Sequence, residues 1–156
     1  MRAFCARMGA TVPQRKALVL KASRILLSEK PLPERLQAFL EALLEGPFPI
    51  RSGKLYLRKG EGLRLVAQLG GEAGGEEVAL SLEGGGRALG RLSLRLAPAA
   101  SLAPEDRLAL EEAAGILALA LLRERAERAE RVLRRAGECA TQAAGEGDLL
   151  HKVCAL

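Results

Sequence analysis

The chain of 156 residues contains no tryptophan, one tyrosine, one histidine and three cysteines. That scarcity removes most of the side chains on which metal and nucleophile chemistry depends. His151 alone cannot build a tetrahedral metal site, and Cys5, Cys139 and Cys154 form no CxxC pair. The carboxylate pairs Glu76-Glu77 and Glu111-Glu112 have no partner acid, base or metal ligand, so they read as surface charge. Gly84-Gly85-Gly86 is not followed by the Lys-Ser/Thr of a phosphate loop and reads as a hairpin turn. No catalytic residue, metal ligand or cofactor is expected, and the chain is expected not to be an enzyme.

Long apolar runs are missing as well. The longest uncharged one, Ala113–Leu122, is bounded by Glu112 and Arg123 and falls short of the ~20 residues a membrane-spanning helix needs. Residues 1–11 carry Arg2 and Arg7 without the apolar stretch of a secretory leader. The expectation is a cytoplasmic chain with reduced thiols and no membrane partner. Acids are scarce in the first two thirds: 8 Lys/Arg stand against 4 acids in residues 1–50 and 8 against 5 in 51–100, while 101–156 reverse to 8 against 10. The net charge of +5 is therefore carried ahead of residue 101, as a mildly basic surface that can attract anions.

What is present is periodic. From Gln14 to Glu29 the apolar residues Leu18, Ala22, Ile25 and Leu26 recur every three or four positions, which predicts an amphipathic helix. Lys30-Pro31-Leu32-Pro33 ends it, and Pro33 suits the first turn of a second helix with Leu36, Phe39, Leu40 and Leu43 on one stripe, stopped by Gly46-Pro47. At Lys54 the period changes to two. Leu55 and Leu57 face one way and Lys54, Tyr56 and Arg58 the other. After a turn at Lys59–Gly62, Leu63, Leu65, Ala67 and Leu69 are expected on the apolar face, followed across a glycine-rich loop by Val78, Leu80 and Leu82. A turn at Glu83–Gly86 leads to Gly90, Leu92, Leu94 and Leu96 inward with Arg91, Ser93 and Arg95 outward. Four strands thus share one leucine-rich face that helices must cover. The polar face collects Lys54, Tyr56, Arg58, Arg64, Arg91 and Arg95, a surface suited to an acidic partner, a nucleotide or single-stranded nucleic acid, with Tyr56 as its one stacking platform.

Pro104-Glu105-Asp106 opens the last and longest helix, with the two acids favoured by the helix dipole. Beyond Leu122 its apolar pattern narrows to Leu119, Leu122, Ala126, Ala129, Leu133, Ala136 and Ala140, the alternating three-four spacing of a coiled-coil seam. Glu124, Glu127 and Glu130 each precede an arginine by four residues, at Arg128, Arg131 and Arg134. In this register Arg125 at g and Glu130 at the following e attract one another across a parallel dimer, with Cys139 also at g. The same pattern leaves open a single charge-laced helix, or one whose alanine side lies back on its own domain.

Helix, helix, hairpin, hairpin, long helix is an α+β plan: an antiparallel sheet of about four strands with N-terminal helices and a long C-terminal helix packed on one face. Val78-Ala79-Leu80-Ser81-Leu82, a glycine turn, and Ala88-Leu89-Gly90-Arg91-Leu92-Ser93-Leu94 resemble the final hairpin of GAF domains. Leu102-Ala103-Pro104-Glu105-Asp106, with Leu108, Leu110, Ala113, Ala114, Ile116 and Ala118–Leu121, is similar to that family's closing helix. The resemblance spans roughly residues 15–136. It divides the chain into an N-terminal segment (1–13), a GAF-like domain (14–122), a helical extension (123–140) and a tail (141–156).

Leu20, Leu36, Leu40 and Leu43 recur as Leu133, Leu149, Val153 and Leu156 at one separation. With a break at Gly145–Asp148, the tail could open a second module of the same kind.

The family's ligand pocket usually needs a helical insertion between the second and third core strands, where Leu69–Glu77 supplies only a glycine-rich loop, so no ligand role carries over. GAF-like free-methionine sulfoxide reductases keep their cysteines in the pocket. Here Cys5, Cys139 and Cys154 fall outside the domain core. The resemblance implies a non-catalytic regulatory module that forms a homodimer through its terminal helices and relays a signal to a partner protein or an output domain. A binding module for anions or nucleic acid on the basic sheet face, and a small-molecule sensor with a small residual pocket, stand as alternatives.

Overall fold

Thr11 sets the start of the first helix earlier than its apolar spacing suggests. In the computed structural model, which describes the backbone of residues 9–72 and 74–154 and no side chain at 146 or 148–154, helix α1 spans Val12–Leu26. The Thr11 hydroxyl accepts from the Gln14 N–H while the Gln14 side chain accepts from the Thr11 N–H at 2.9 Å, a reciprocal cap that satisfies two otherwise orphaned donors. Residues 12 and 13 therefore belong to the helix and not to a preceding segment. Cys5, most of the 1–13 segment, Leu156 and the side chains of Leu149, His151, Val153 and Cys154 lie outside the described residues.

Helix α2 spans Leu32–Glu45 and ends at Gly46. It buries Leu36, Phe39, Leu40, Ala42 and Leu43, the expected stripe with one alanine added. Strands β1 (Ile50–Lys59), β2 (Gly62–Leu69), β3 (Glu77–Gly84) and β4 (Arg87–Leu96) form one antiparallel sheet in the order β2-β1-β4-β3. Two hairpins thus lie side by side, with β1 and β4 central. The β3–β4 turn is Gly85-Gly86, with φ of 59° and 74°, left-handed values that glycine adopts without steric cost and that match the twist of a two-residue hairpin.

Leu55, Val78, Leu80, Leu82, Leu92 and Leu94 are buried on the inner face. Helix α2 packs against β1 and β2 there. A Cβ on Gly53 would stand 3.2 Å from Leu40 Cδ2 and 3.3 Å from Leu94 Cδ2, so its absence lets helix and strand approach closely. The last helix, α3, spans Pro104–Cys154. Its first part adds Leu110, Ala113, Leu117, Leu121 and their neighbours to the core. The expected break at Gly145–Asp148 is not seen: the backbone remains helical through these residues. The chain divides into two compact units, Met1–Leu121 and Leu122–Leu156. Every buried apolar residue among those described belongs to the first. No helix among the described residues is long and apolar enough to cross a membrane.

Candidate functional site

The outer face of the sheet and the exposed side of the long helix are the two surfaces the sequence singles out. On the sheet, Lys54 lies opposite Ser93, Tyr56 opposite Arg91, and Ser52 opposite Arg95. Cross-strand partners share a face, so Lys54, Tyr56, Arg91 and Arg95 stand together as expected. Arg58 joins them two residues after Tyr56.

Arg64 does not, which corrects the expected face. The two-residue turn pairs Lys59 with Gly62, and further along Leu55 pairs with Ala67. Between these points three residues of β1 face four of β2, so the register shifts between Leu55 and Tyr56 and one residue of β2 must bulge. The shift turns every side chain on the hairpin side of it to the opposite face. Arg64 pairs with Leu57 on the inner side, while Leu63 and Leu65 pair with Arg58 and Tyr56 on the outer side. Leu63 is 53% exposed and Leu65 43%. The expected burial of these two leucines is therefore also corrected.

Charge on the face is balanced at one end. Glu77 of β3 accepts from the Ser93 hydroxyl and lies 3.4 Å from Arg91 and 3.6 Å from Arg95. The Ser93 hydrogen bond, helped by the positive charges of Arg91, Arg95 and Lys54, holds its carboxyl below the ordinary glutamate range. Among the described residues Lys54 and Arg58 make no ion pair. The Arg58 Nε instead donates to the Gly60 carbonyl at 3.2 Å. At the turn end a groove of about 460 Å³ crosses the strands, its lining including Arg58, Glu61, Leu63, Ser81, Ala88 and Arg91, with the Ser81 hydroxyl donating to Glu83 at 3.3 Å. Among the described residues no cysteine lines it.

On the helix side, Leu108 is 59% exposed and Leu119 67% in the first unit, and a Cβ added to Gly115 between them would touch nothing. In the second unit Ala126, Ala129, Ala136 and Ala140 are exposed, Leu122 is half-buried and Leu133 is 72% exposed. The expected ion pairs rearrange. Glu130 meets Arg134 at 3.0 Å as anticipated. Glu127 instead takes Arg123 at 2.8 Å, and Glu124 reaches Arg131, two turns on, at 3.6 Å. Cys139 is an exposed free thiol.

No protein-family profile and no curated protein matches the sequence. Solved structures do match the fold. Free methionine-R-sulfoxide reductase from Neisseria meningitidis, in complex with its substrate, is 18% identical with a TM-score of 0.64, over 78% of this chain and 97% of that one. The GAF domain of a phosphoenolpyruvate-protein phosphotransferase from Coxiella burnetii is 14% identical with a TM-score of 0.63, over 77% and 99%. A candidate GAF sensor protein from Burkholderia vietnamiensis is 16% identical with a TM-score of 0.60, over 69% and 93%.

The fold is GAF-like and α+β. One expectation falls with this finding. The expectation that the chain is not an enzyme does not hold, because an enzyme in complex with its substrate shares the fold. The architecture therefore gives no ground for excluding catalysis.

Proposed function

We propose that the chain is a GAF-like regulatory module that pairs with a second copy through its terminal helices and relays conformational state to a partner protein or an output domain, in a reducing, cytoplasmic setting. The observation that carries this reading is the uncovered apolar stripe of α3: Leu108 and Leu119, then Leu133 at 72% exposure, on a helix of 51 residues. From Leu122 to Gly145 no side chain is buried. This segment buries none of its described side chains fully, and packing on an apolar face supplies most of a helix's stability in proteins. A second copy of the seam supplies it, with Arg125 and Glu130 in attractive g–e positions. Two of the proteins that share the fold are a GAF domain and a candidate GAF sensor, which supports a regulatory reading over a purely structural one.

Light scattering at several protein concentrations tests it, on the whole chain and on a version ending at Leu122. The whole chain is expected to approach twice its 16.6 kDa mass, and the shortened one to remain near the single-copy value. A single-copy mass for the whole chain at every concentration overturns the proposal.

A further inference from the structure

We infer that the free edge of β3 takes up an extended segment of another protein as a fifth, antiparallel strand. The segment alternates β-branched with polar residues and carries a lysine or arginine opposite Glu83. The inference does not depend on pairing of the terminal helices. Its starting point is the backbone. β3 stands at one end of the sheet order, with β4 as its one strand neighbour among the described residues, and its ladder to β4 is regular from Glu77 to Leu82. The Leu96 N–H donates to the Glu76 carbonyl at 2.9 Å, which makes Glu76 and Leu96 a hydrogen-bonded pair. Bonded and non-bonded pairs alternate along an antiparallel ladder. Val78, Leu80 and Leu82 therefore direct their N–H and C=O groups to β4, while Glu77, Ala79 and Ser81 direct theirs away from the sheet. Such a row is a template for another strand.

The connection from β2 to β3 does not run along this edge. A Cβ on Gly70 would stand 2.2 Å from the Arg51 carbonyl oxygen and one on Gly75 2.0 Å from that of Leu96, so the connection crosses the end of the sheet and meets β3 at its first residue. Ala79 and Ser81 are small and exposed, which leaves room for a neighbour at the ~4.8 Å strand spacing. The opposite edge, β2, carries the bulge, a device that blunts edges. β3 has no lysine, no proline and no bulge before Leu82.

Charge selects the strand. Glu77 is engaged by Arg91 and Arg95. Glu83 accepts from the Ser81 hydroxyl at 3.3 Å and makes no ion pair among the described residues. Arg87, the nearest base in the turn, pairs with Gly84, one position along from Glu83 and Ala88, and so falls on the other face. A cation directly opposite a carboxylate stabilises a strand pair. The same acids turn away a second copy: either two-fold register, centred on Ala79 or on Leu80, sets Glu77 beside or opposite Glu83 of the other copy, and like charges so placed repel. β-branched residues fit the pleat beside Val78 and Leu80, and antiparallel pairing is the slightly more stable kind.

The test is amide hydrogen exchange by NMR on the full-length chain with the synthetic peptide acetyl-Lys-Val-Thr-Val-Thr-Val-Thr-amide. Its lysine comes opposite Glu83 when its threonines face Ser81, Ala79 and Glu77. At saturation the amides of Glu77, Ala79 and Ser81 should slow roughly tenfold or more, and those of Val78 and Leu80 should change less. Methylation of the threonine nitrogens, which meet β3, should abolish binding, and methylation of the valine nitrogens should not. Glu83→Lys should weaken binding roughly threefold, and exchanging the peptide's lysine for glutamate should restore it. Ala79→Pro removes an outward N–H, a change edge strands tolerate, and should abolish binding. The methylated peptides probe the same contact without altering the protein.

Unchanged exchange of Glu77, Ala79 and Ser81 at the highest peptide concentration overturns the inference. Slowing confined to residues 63–69 overturns it by putting the peptide on β2. Binding that survives methylation of the threonine nitrogens overturns backbone pairing, and equal binding of the glutamate peptide to the unaltered chain overturns the charge assignment. Slowing of the same three amides with rising protein concentration and no peptide gives the edge to a second copy instead.

Discussion

Glu77 shows how one residue sets the character of a surface. It is the only acid of β3 placed opposite an arginine, and it gathers Ser93, Arg91 and Arg95 around one carboxylate. Its titration is displaced downward, first by the Ser93 hydroxyl and then by the cations. Because the folded value lies below the unfolded one, whatever stability the cluster contributes is complete above the ordinary glutamate range. It is lost as the pH falls through the depressed value. Ser93→Ala should move the Glu77 titration back up toward the ordinary value, read from its side-chain carboxyl signal by NMR. An unmoved titration would assign the displacement to the arginines alone.

None of this pairing was visible in the sequence, where Glu76-Glu77 looks like bare surface charge, because strand register is a long-range property. The outward cations, by contrast, were legible from alternation as far as alternation held. It fails at Leu65-Val66-Ala67, three apolar residues in succession that a strict period of two cannot place on one face. That run was the available signal for the bulge, and reading through it put Arg64 on the wrong side and Leu63 and Leu65 in the core.

Between α1 and α3 one tie is polar. Asp106, in the first turn of α3, is 2% exposed. It accepts from Arg15 of α1 at 3.2 Å and from the Ala10 N–H at 3.3 Å, while Arg15 also donates to the Ala10 carbonyl at 2.8 Å. A Cβ on Gly9 would stand 3.0 Å from the same carboxylate, so the segment leading into α1 is pressed against it. The entry to α1 and the start of α3 are therefore tied to each other.

Removing one partner leaves a buried charge uncompensated. Arg15→Met should destabilise the fold by about 3 kcal/mol, measured by urea denaturation. The double change Arg15→Met/Asp106→Asn should cost less than the two single changes together, since both remove one interaction. Additive losses would show that the residues act independently. In the sequence Asp106 was read only as an acid favoured at a helix N-terminus. That reading is physically sound but incomplete, because its partner is 91 positions away. The Thr11-Gln14 cap, a strictly local pattern, was within reach and would have started α1 two residues earlier.

At the scale of the whole molecule, energy is distributed unevenly. The core, from Ala10 to Leu121, belongs to one unit, and the other unit is a helix whose described side chains are exposed or half-buried. Its ion pairs each add only ~0.2–0.5 kcal/mol, and Gly137 within it costs roughly 1 kcal/mol relative to alanine. If the helix pairs with a second copy as proposed, it and the sheet-based core answer differently to concentration. Melting of the core is independent of protein concentration, whereas a helix stabilised by a second copy melts later as concentration rises. Two transitions are therefore expected by circular dichroism, and only one of them should move with concentration.

Leu133→Lys separates the two further. Burying that leucine in a seam is worth ~1.5–3 kcal/mol, so its loss should weaken association roughly tenfold or more while leaving the core transition in place, because Leu133 is 72% exposed in the single copy. If the substitution leaves both transitions and the solution mass unchanged, the seam does not hold the copies together. The long helix must then find its stabilising surface on a different protein, and the alternating spacing from Leu119 to Ala140 would mark where that protein docks.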